Sequence, residues 1–339
     1  FYRGDFLRVD IYSDFVLKDL LQSYSSIQFS ECIRDAGDIQ LSFTDSEVYR
    51  NISVTEDVLV VGNNAYLAEN KHKTDSKDLR KYEITGRHIA TILSWRCVKG
   101  FEVPVGESYE DACIRLVQEN FILPSDIKRK IVCMAVRKNN LSSKNTVKRI
   151  YEANDCLSIL KFISKLGGFG FRLEYDIQEK KLVFCCVPVS DRSSTVIFGD
   201  KFNNISETDI YEETSDYKNV AYLYTEQTET EEESYTAYGE TESEGLSRRE
   251  YVEKGSSAED LLKSLKEKSK TTGAEFVILN SEQYQYNKDY FLGDTVLLTD
   301  TDSGLSLAKP IEKVTHFYEK TYEMEITYGD AIPTIFTKK

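Results

Sequence analysis

The chain has 339 residues, 40% of them hydrophobic and 12% aromatic. That is enough apolar surface for real cores, and it excludes an intrinsically disordered chain. The formal net charge of −14 has the wrong sign for a protein that grips nucleic acid by its phosphates. The longest apolar run, Leu182 to Val189, contains Pro188 and falls far short of a membrane span, and no targeting segment is recognisable.

Length suggests about two to three domains. Because the chain starts at Phe1 rather than Met, a few leading residues are expected to precede it. Only five prolines and many tyrosines and phenylalanines suit sheets of short strands.

Residues 1–98 read as a first domain. Ile39, Leu41 and Phe43 alternate with Gln40, Ser42 and Thr44, the period of a strand with one wet face. Asp57 to Val61 is a more continuous strand that ends in a turn at Gly62-Asn63-Asn64. Residues 70–78 read as a polar loop, and Lys81 to Thr85 as a strand broken by Gly86. Ile89, Ile92 and Leu93 then fall at helical spacing within Arg87–Arg96. The expectation is a small closed or nearly closed sheet with a short helix at its exit.

Residues 99–195 read as an α+β domain. Ser108 with Asp111 resembles a capping box, Asp replacing the usual Glu. Ala112, Cys113, Leu116, Val117 and Phe121 form the helical face that follows. A second helix spans about 155–166, with Cys156, Ile159, Leu160, Ile163 and Leu166 inward and Gly167 as its cap. Phe169–Tyr175 and Lys181–Val187 make a hairpin.

Residues 196–339 return to strands, with one inserted helix at 257–271. Val220, Tyr222 and Tyr224 alternate with Ala221 and Leu223, and a strand starts at Tyr235. The inserted helix carries an apolar stripe of Leu261, Leu262 and Leu265 and is ended by Gly273; the stripe is expected to pack on its own barrel, the alternative being a partner. Tyr290 to Val296 enters a strand through Gly293 and Asp294. A polar turn follows at 300–304, and two alternating runs end at Tyr328-Gly329-Asp330. In the last run Tyr322, Met324, Ile326 and Tyr328 face one side.

No residue pattern here carries chemistry. The seven cysteines show no CxxC pair and read as small buried hydrophobes of a reducing cytoplasm. None of His72, His88 and His316 lies at ligand spacing. Asp300–Gly304 lacks the acids of a calcium loop. Leu166–Gly170 is glycine-rich but runs from helix to strand, the reverse of a phosphate loop. No catalytic residue, metal ligand or cofactor site is assigned. The charge is uneven: residues 207–253 hold fifteen acids and three bases, a net −12 that leaves −2 for the rest. The segment reads as a solvated surface or as an acidic wall that DNA passes by like-charge repulsion.

Several blocks in order resemble the tail-hub proteins of long-tailed bacteriophages. They are Asp191-Arg192-Ser193 through Val196-Ile197-Phe198 to Asn203-Asn204, Tyr217 to Tyr222 around Asn219, and Gly245 to Glu250 around Arg248 and Arg249. The blocks Leu292-Gly293-Asp294-Thr295-Val296 and Ile326-Thr327-Tyr328-Gly329 follow, and Gly86 with Ile89, Leu93 and Arg96 looks like the family's exit from a first barrel. The siphophage tail-hub family shares its fold with the baseplate hub of contractile-tailed phages.

The resemblance implies a mainly β chain, two small β-barrels (1–98 and 196–339) flanking an α+β domain (99–195). It implies a homotrimer at the virion tail tip, made in the bacterial host cytoplasm and no enzyme. Such a trimer joins the tail tube to a spike, fibre or adsorption apparatus and frames the DNA exit channel. Implied partners are the distal tail or tube protein, the tape-measure protein and spike or receptor-binding proteins; DNA passes without specific binding, and no membrane is involved. Glu229, Glu231, Glu232 and Glu233 are candidate channel-lining acids. Many such hubs continue into a lysin or receptor-binding extension, so the end at Lys339 is expected of a bare hub or of the structural part of one. The competing readings are a tail-associated peptidoglycan hydrolase or endopeptidase and a carbohydrate-binding adhesin, which needs an exposed aromatic platform.

Overall fold

Alternation in the first hundred residues becomes a run of antiparallel strands in the computed structural model, which describes residues 7–75, 80–141, 144–145, 148–226, 233–254, 258–278, 283–319 and 321–328. The strands are β1 (Val9–Ser13), β2 (Val16–Leu21), β3 (Ser26–Cys32), β4 (Asp38–Phe43), β5 (Asp57–Val61), β6 (Asn64–Asp75) and β7 (Arg80–His88). They lie side by side in the order β3-β4-β7-β6-β5-β1-β2. Helix α1 (Ser46–Asn51) sits between β4 and β5, capped by the Asp45 carboxylate on the Glu47 and Val48 amides. Ile39, Leu41 and Phe43 are buried as their period requires, with Leu59, Val61, Tyr66 and Ile84 facing them.

Two expectations fail here. Residues 70–75 are not a loop: they continue β6 and pair with Arg80–Thr85 of β7. This arm is largely exposed on both faces, so polar residues suit every position and no apolar alternation reveals the strand. Gly86 does not break β7 but lies within it, paired to Ile39 and Ala68. A Cβ there would lie 1.7 Å from the Leu67 carbonyl oxygen, beside a bulge in β6. The glycine serves close backbone approach, not termination.

A 3₁₀ turn, Ile89–Trp95, follows with Ile89, Ile92 and Leu93 buried. The short strands β8 (Cys97–Val98) and β9 (Phe101–Val103) then precede α2 (Tyr109–Val117). The Ser108 hydroxyl accepts from the Asp111 amide at 3.0 Å, capping the helix, and donates to the Asp111 carboxylate at 2.7 Å; the carboxylate thus meets the hydroxyl rather than the backbone amide of a full capping box. A π turn (Gln118–Ile122) extends α2, and Ala112, Cys113, Leu116, Val117 and Phe121 are all buried.

Next come β10 (Met134–Arg137), β11 (Arg149–Tyr151) and β12 (Asn154–Asp155), then α3 (Cys156–Gly167), β13 (Gly170–Asp176) and β14 (Lys181–Val187). Strands β10, β14 and β13 form one small sheet, with β10 parallel to β14. Helix α3 is capped by Gly168 at φ +68°, not by Gly167, which is still helical. The left-handed residue must follow the last helical one.

The remaining strands are β15 (Ile197–Gly199), β16 (Ile205–Glu213), β17 (Val220–Glu226), β18 (Glu233–Gly239), β19 (Glu250–Lys254), β20 (Thr271–Ile278), β21 (Thr295–Asp300), β22 (Leu305–Tyr318) and β23 (Tyr322–Tyr328). Strand β22 does two jobs. Its first half pairs with β21 across the expected polar turn, and its second half pairs with β23 on one side and β3 on the other. The first and last thirds of the chain thus share a sheet, Tyr318 lying opposite Ile27 and Lys313 opposite Cys32. Within residues 7–208 and 276–328 the described strands of this sheet run side by side from β23 to β2, and no closed barrel is seen among them.

The described residues form two compact units, one within 7–208 and 276–328 and the other within 209–275. The second holds the sheet β18-β17-β19 and α4 (Ala258–Glu267), which packs on β17 and β18. The Tyr251 hydroxyl donates to the Leu261 carbonyl at 3.2 Å. Leu261 is fully buried but Leu262 is 46% exposed, so the buried stripe is narrower than expected. Gly273 does not end the helix; it lies within β20. The Lys268 carbonyl, just beyond α4, accepts from the Lys218 amide instead. All seven cysteines are free; Cys113, Cys156, Cys185 and Cys186 are buried, whereas Cys97 is exposed, contrary to its reading as a buried hydrophobe. It lies in the two-residue β8, which has too little sheet to cover it.

Candidate functional site

Most of the described residues singled out from the sequence gather into two polar nodes; Gly86 and Arg96 lie elsewhere. In the first unit, Gly293 takes φ +92°, and a Cβ there would press on Val189 and Ile33. That turn lets the neighbouring Asp294, 4% exposed, aim inward. Its carboxylate accepts from the Ser190 amide at 3.1 Å, the Phe291 amide at 3.0 Å and Arg192 Nε at 2.7 Å. The Arg192 guanidinium also lies over the Phe291 ring. Asp191 holds the turn before it through the Ser193 hydroxyl and amide, which keep its carboxyl below the usual range. Asn204, fully buried, accepts from the Gly199 amide and donates to the Ile197 carbonyl.

In the second unit Asn219 is the centre. Its side-chain amide donates toward Glu240 Oε2 (3.0 Å), Ser243 Oγ (3.0 Å) and the Ser247 carbonyl (2.9 Å), and its oxygen accepts from the Arg249 amide (2.8 Å). Two N–H groups serve three acceptors, so one bond is shared. Arg248 donates to the Thr241 and Ser243 carbonyls and to Glu250 and Tyr222, while Arg249 reaches the Thr214 carbonyl. Arg96 donates to the Arg129 carbonyl and lies over Phe121. These groups clamp turns and strand ends. Gly329, Glu229, Glu231 and Glu232 lie outside the described residues, and Glu233 begins β18.

A third place was not anticipated. In the first unit a cavity of about 1080 Å³ has the face of β3, β22 and β23 as its floor. There His316, 5% exposed, stacks on Phe29 at 4.6 Å between ring centres. Its Nε2 lies 3.0 Å from Glu31 Oε1 and its Nδ1 2.9 Å from the Tyr322 hydroxyl. His316 thus bridges the Glu31 carboxylate and the Tyr322 hydroxyl, one ring nitrogen to each. His88, also lining the cavity, is pushed down to about 4 by burial, and burial raises Tyr286 well above the usual phenol range. The Tyr290 hydroxyl, buried in the lining, has no hydrogen-bond partner among the described residues.

Residue spacing could not reveal this set, because Glu31 and His316 are 285 positions apart. The available signal was a histidine on the buried phase of β22. The arrangement presents aromatic rings, a carboxylate and hydroxyls to a hollow. No group of three metal-ligating side chains lies together among the described residues.

The family described as "Siphovirus ReqiPepy6 Gp37-like protein" matches residues 9–330. No match is found among curated proteins. The fold is similar to that of the tail protein from Neisseria meningitidis MC58 (TM-score 0.60, 14% identity, 96% of each chain covered). It is also similar to the 43 kDa tail protein of prophage MuSo2 from Shewanella oneidensis (TM-score 0.61, 11% identity, 95% of this chain and 97% of that one). A third likeness is to the prophage tail protein gp18 from Listeria monocytogenes EGD-e (TM-score 0.59, 14% identity, 98% and 96%).

Proposed function

Because the chain belongs to the Siphovirus ReqiPepy6 Gp37-like protein family, we propose that it is the structural hub of a phage or prophage tail tip. The observation that carries this is the breadth of the family match, residues 9–330. The shared fold with solved tail proteins over nearly the whole chain supports it. In this reading residues 1–98 and 196–339 are the two barrel-type domains, residues 99–195 are the α+β part, and three copies close a ring by heterologous contacts. The ring joins the tail tube to the spike, fibre or adsorption apparatus, meets the tape-measure protein, and works at the virion tail tip by geometry without catalysis. The side chains that recur in the resemblance support that reading, since each is spent on holding a turn or strand end.

The ring frames the channel through which DNA leaves, and the acidic segment 207–253 lines it. Glu207, Asp209, Glu240, Glu242 and Glu244 are exposed on that segment, which favours repulsion of a polyanion over binding. Changing Glu229, Glu231, Glu232 and Glu233 together to glutamine is expected to leave the melting temperature nearly unchanged and to slow DNA ejection from assembled particles. Ejection at the wild-type rate would remove the acidic lining from the proposal.

A further inference from the structure

We propose that neighbouring copies meet by seating an apolar, basic patch of the first unit on the open sheet face of the second unit of the next copy. The inference rests on the ring reading above and names the two surfaces that close the ring. The patch is made of residues 95–99 and 123–132. Arg96 donates to the Arg129 carbonyl and Arg129 to the Cys97 carbonyl, so the two segments lie side by side. Leu123, Ile127 and Val132 are 72–86% exposed, and Trp95 is half exposed. Four large apolar side chains in water on one short stretch of surface mark a contact site rather than scattered exposure. Among them stand Arg96, Lys99, Lys128, Arg129 and Lys130 against one acid, Asp126. Arg96 and Arg129 donate to carbonyls and to the Asn120 amide oxygen, all uncharged, and the three lysines are exposed. The patch is therefore positive in a chain of formal charge −14, and it calls for an acidic, partly apolar counterpart.

The second unit supplies one. Helix α4 packs on one face of the sheet β18-β17-β19, where Tyr251 and Glu253 meet Leu261 and Ser264. By register the other face carries Tyr222, Tyr224, Tyr235, Ala237 and Val252. Tyr235 and Val252 are 54% and 58% exposed. Arg248 binds the Tyr222 hydroxyl and the Thr241 and Ser243 carbonyls, which brings the turn carrying Glu242 and Glu244 to the edge of that face. Residues 239–253 hold five acids and two bases, and Glu242, Glu244 and Leu246 are exposed. An acidic rim beside aromatic and aliphatic side chains matches the patch in both charge and polarity. The two surfaces differ and one chain carries both, as a heterologous contact requires. In a ring the seams between copies adjoin the wall of the hole, so acids of this segment border both.

The test uses the full chain and its single tryptophan, Trp95, as reporter. As concentration rises through assembly, Trp95 emission is expected to move to shorter wavelength while light scattering reports the trimer. Lys128→Glu with Lys130→Glu, and separately Glu242→Lys with Glu244→Lys, should each raise the concentration needed about tenfold or more. All four side chains are exposed, so the melting temperature should stay nearly unchanged. Joining the four reversals in one chain restores opposite charge across the seam and should recover the trimer, which a folding defect would not allow. Trimers at unchanged concentration in both paired variants, or a fourfold variant no better than either pair, would overturn this contact and leave the ring standing. A wild-type chain that never trimerises would remove the ring reading and this contact with it. A Trp95 shift produced by anionic phospholipid vesicles, with no dependence on protein concentration, would overturn the contact by giving the patch to a lipid surface.

Discussion

Asp294→Ala is expected to lower the stability of the first unit by about 3 kcal/mol, the range for a buried carboxylate removed from several donors. The loss has two parts. The Ser190 and Phe291 amides lose their acceptor at a position only 4% exposed, and each unsatisfied buried group costs about 1–3 kcal/mol. Arg192 loses its 2.7 Å partner, but its side chain is 36% exposed and can rehydrate, so its share is small. Asp294→Asn should recover part of the loss, because one amide oxygen can still accept while the amide nitrogen cannot. Urea denaturation with a constant slope checks this. A shift under about 1 kcal/mol would mean that the turn is held by Gly293 and packing instead.

Asn219→Ala is expected to loosen the second unit by about 2–4 kcal/mol, through the four bonds its side chain makes at 5% exposure. The readout should be local. Amide exchange should speed up along β17 and β19, whose register near Val220 and Glu250 is set beside this residue, while β3 and β4 keep their protection. Uniform acceleration across both units would contradict the division into separately cooperative parts, and an unchanged β17 would show the node to be redundant.

How much of this was legible in the sequence depended on what each signal reports. Periodicity found strands such as β4 and β23, because burial of one face imposes the period, but Ser42 and Thr327 on their polar phases are buried as well. It missed Asn70–Asp75 of β6, where both faces are wet. Glycines were read as breakers or caps, yet Gly86 accommodates a neighbouring carbonyl and Gly273 sits in a strand. Leu262 shares the helical spacing of Leu261 but not its burial, since the small sheet below α4 covers only a narrow stripe.

Pairing partners were the least legible. Nothing in β22 announces that β3 is its neighbour, because alternation specifies a face and not the strand beside it. The nodes at Asp294 and Asn219 were marked as ordered blocks, but their bonding needed the fold. The Glu31–His316–Tyr322 set was invisible for the same reason as the β3–β22 pairing that assembles it. Family membership follows from the match over residues 9–330. Fold likeness at 11–14% identity carries architecture only, and function has to be argued from sites and assembly.

The central claim is that copies of this chain work as a closed threefold ring. Light scattering of the purified protein at micromolar concentration tests it most directly. The account predicts a mass three times the 38.9 kDa of one chain, with end-on images showing a hole; a species that stays at the single-chain mass would contradict it.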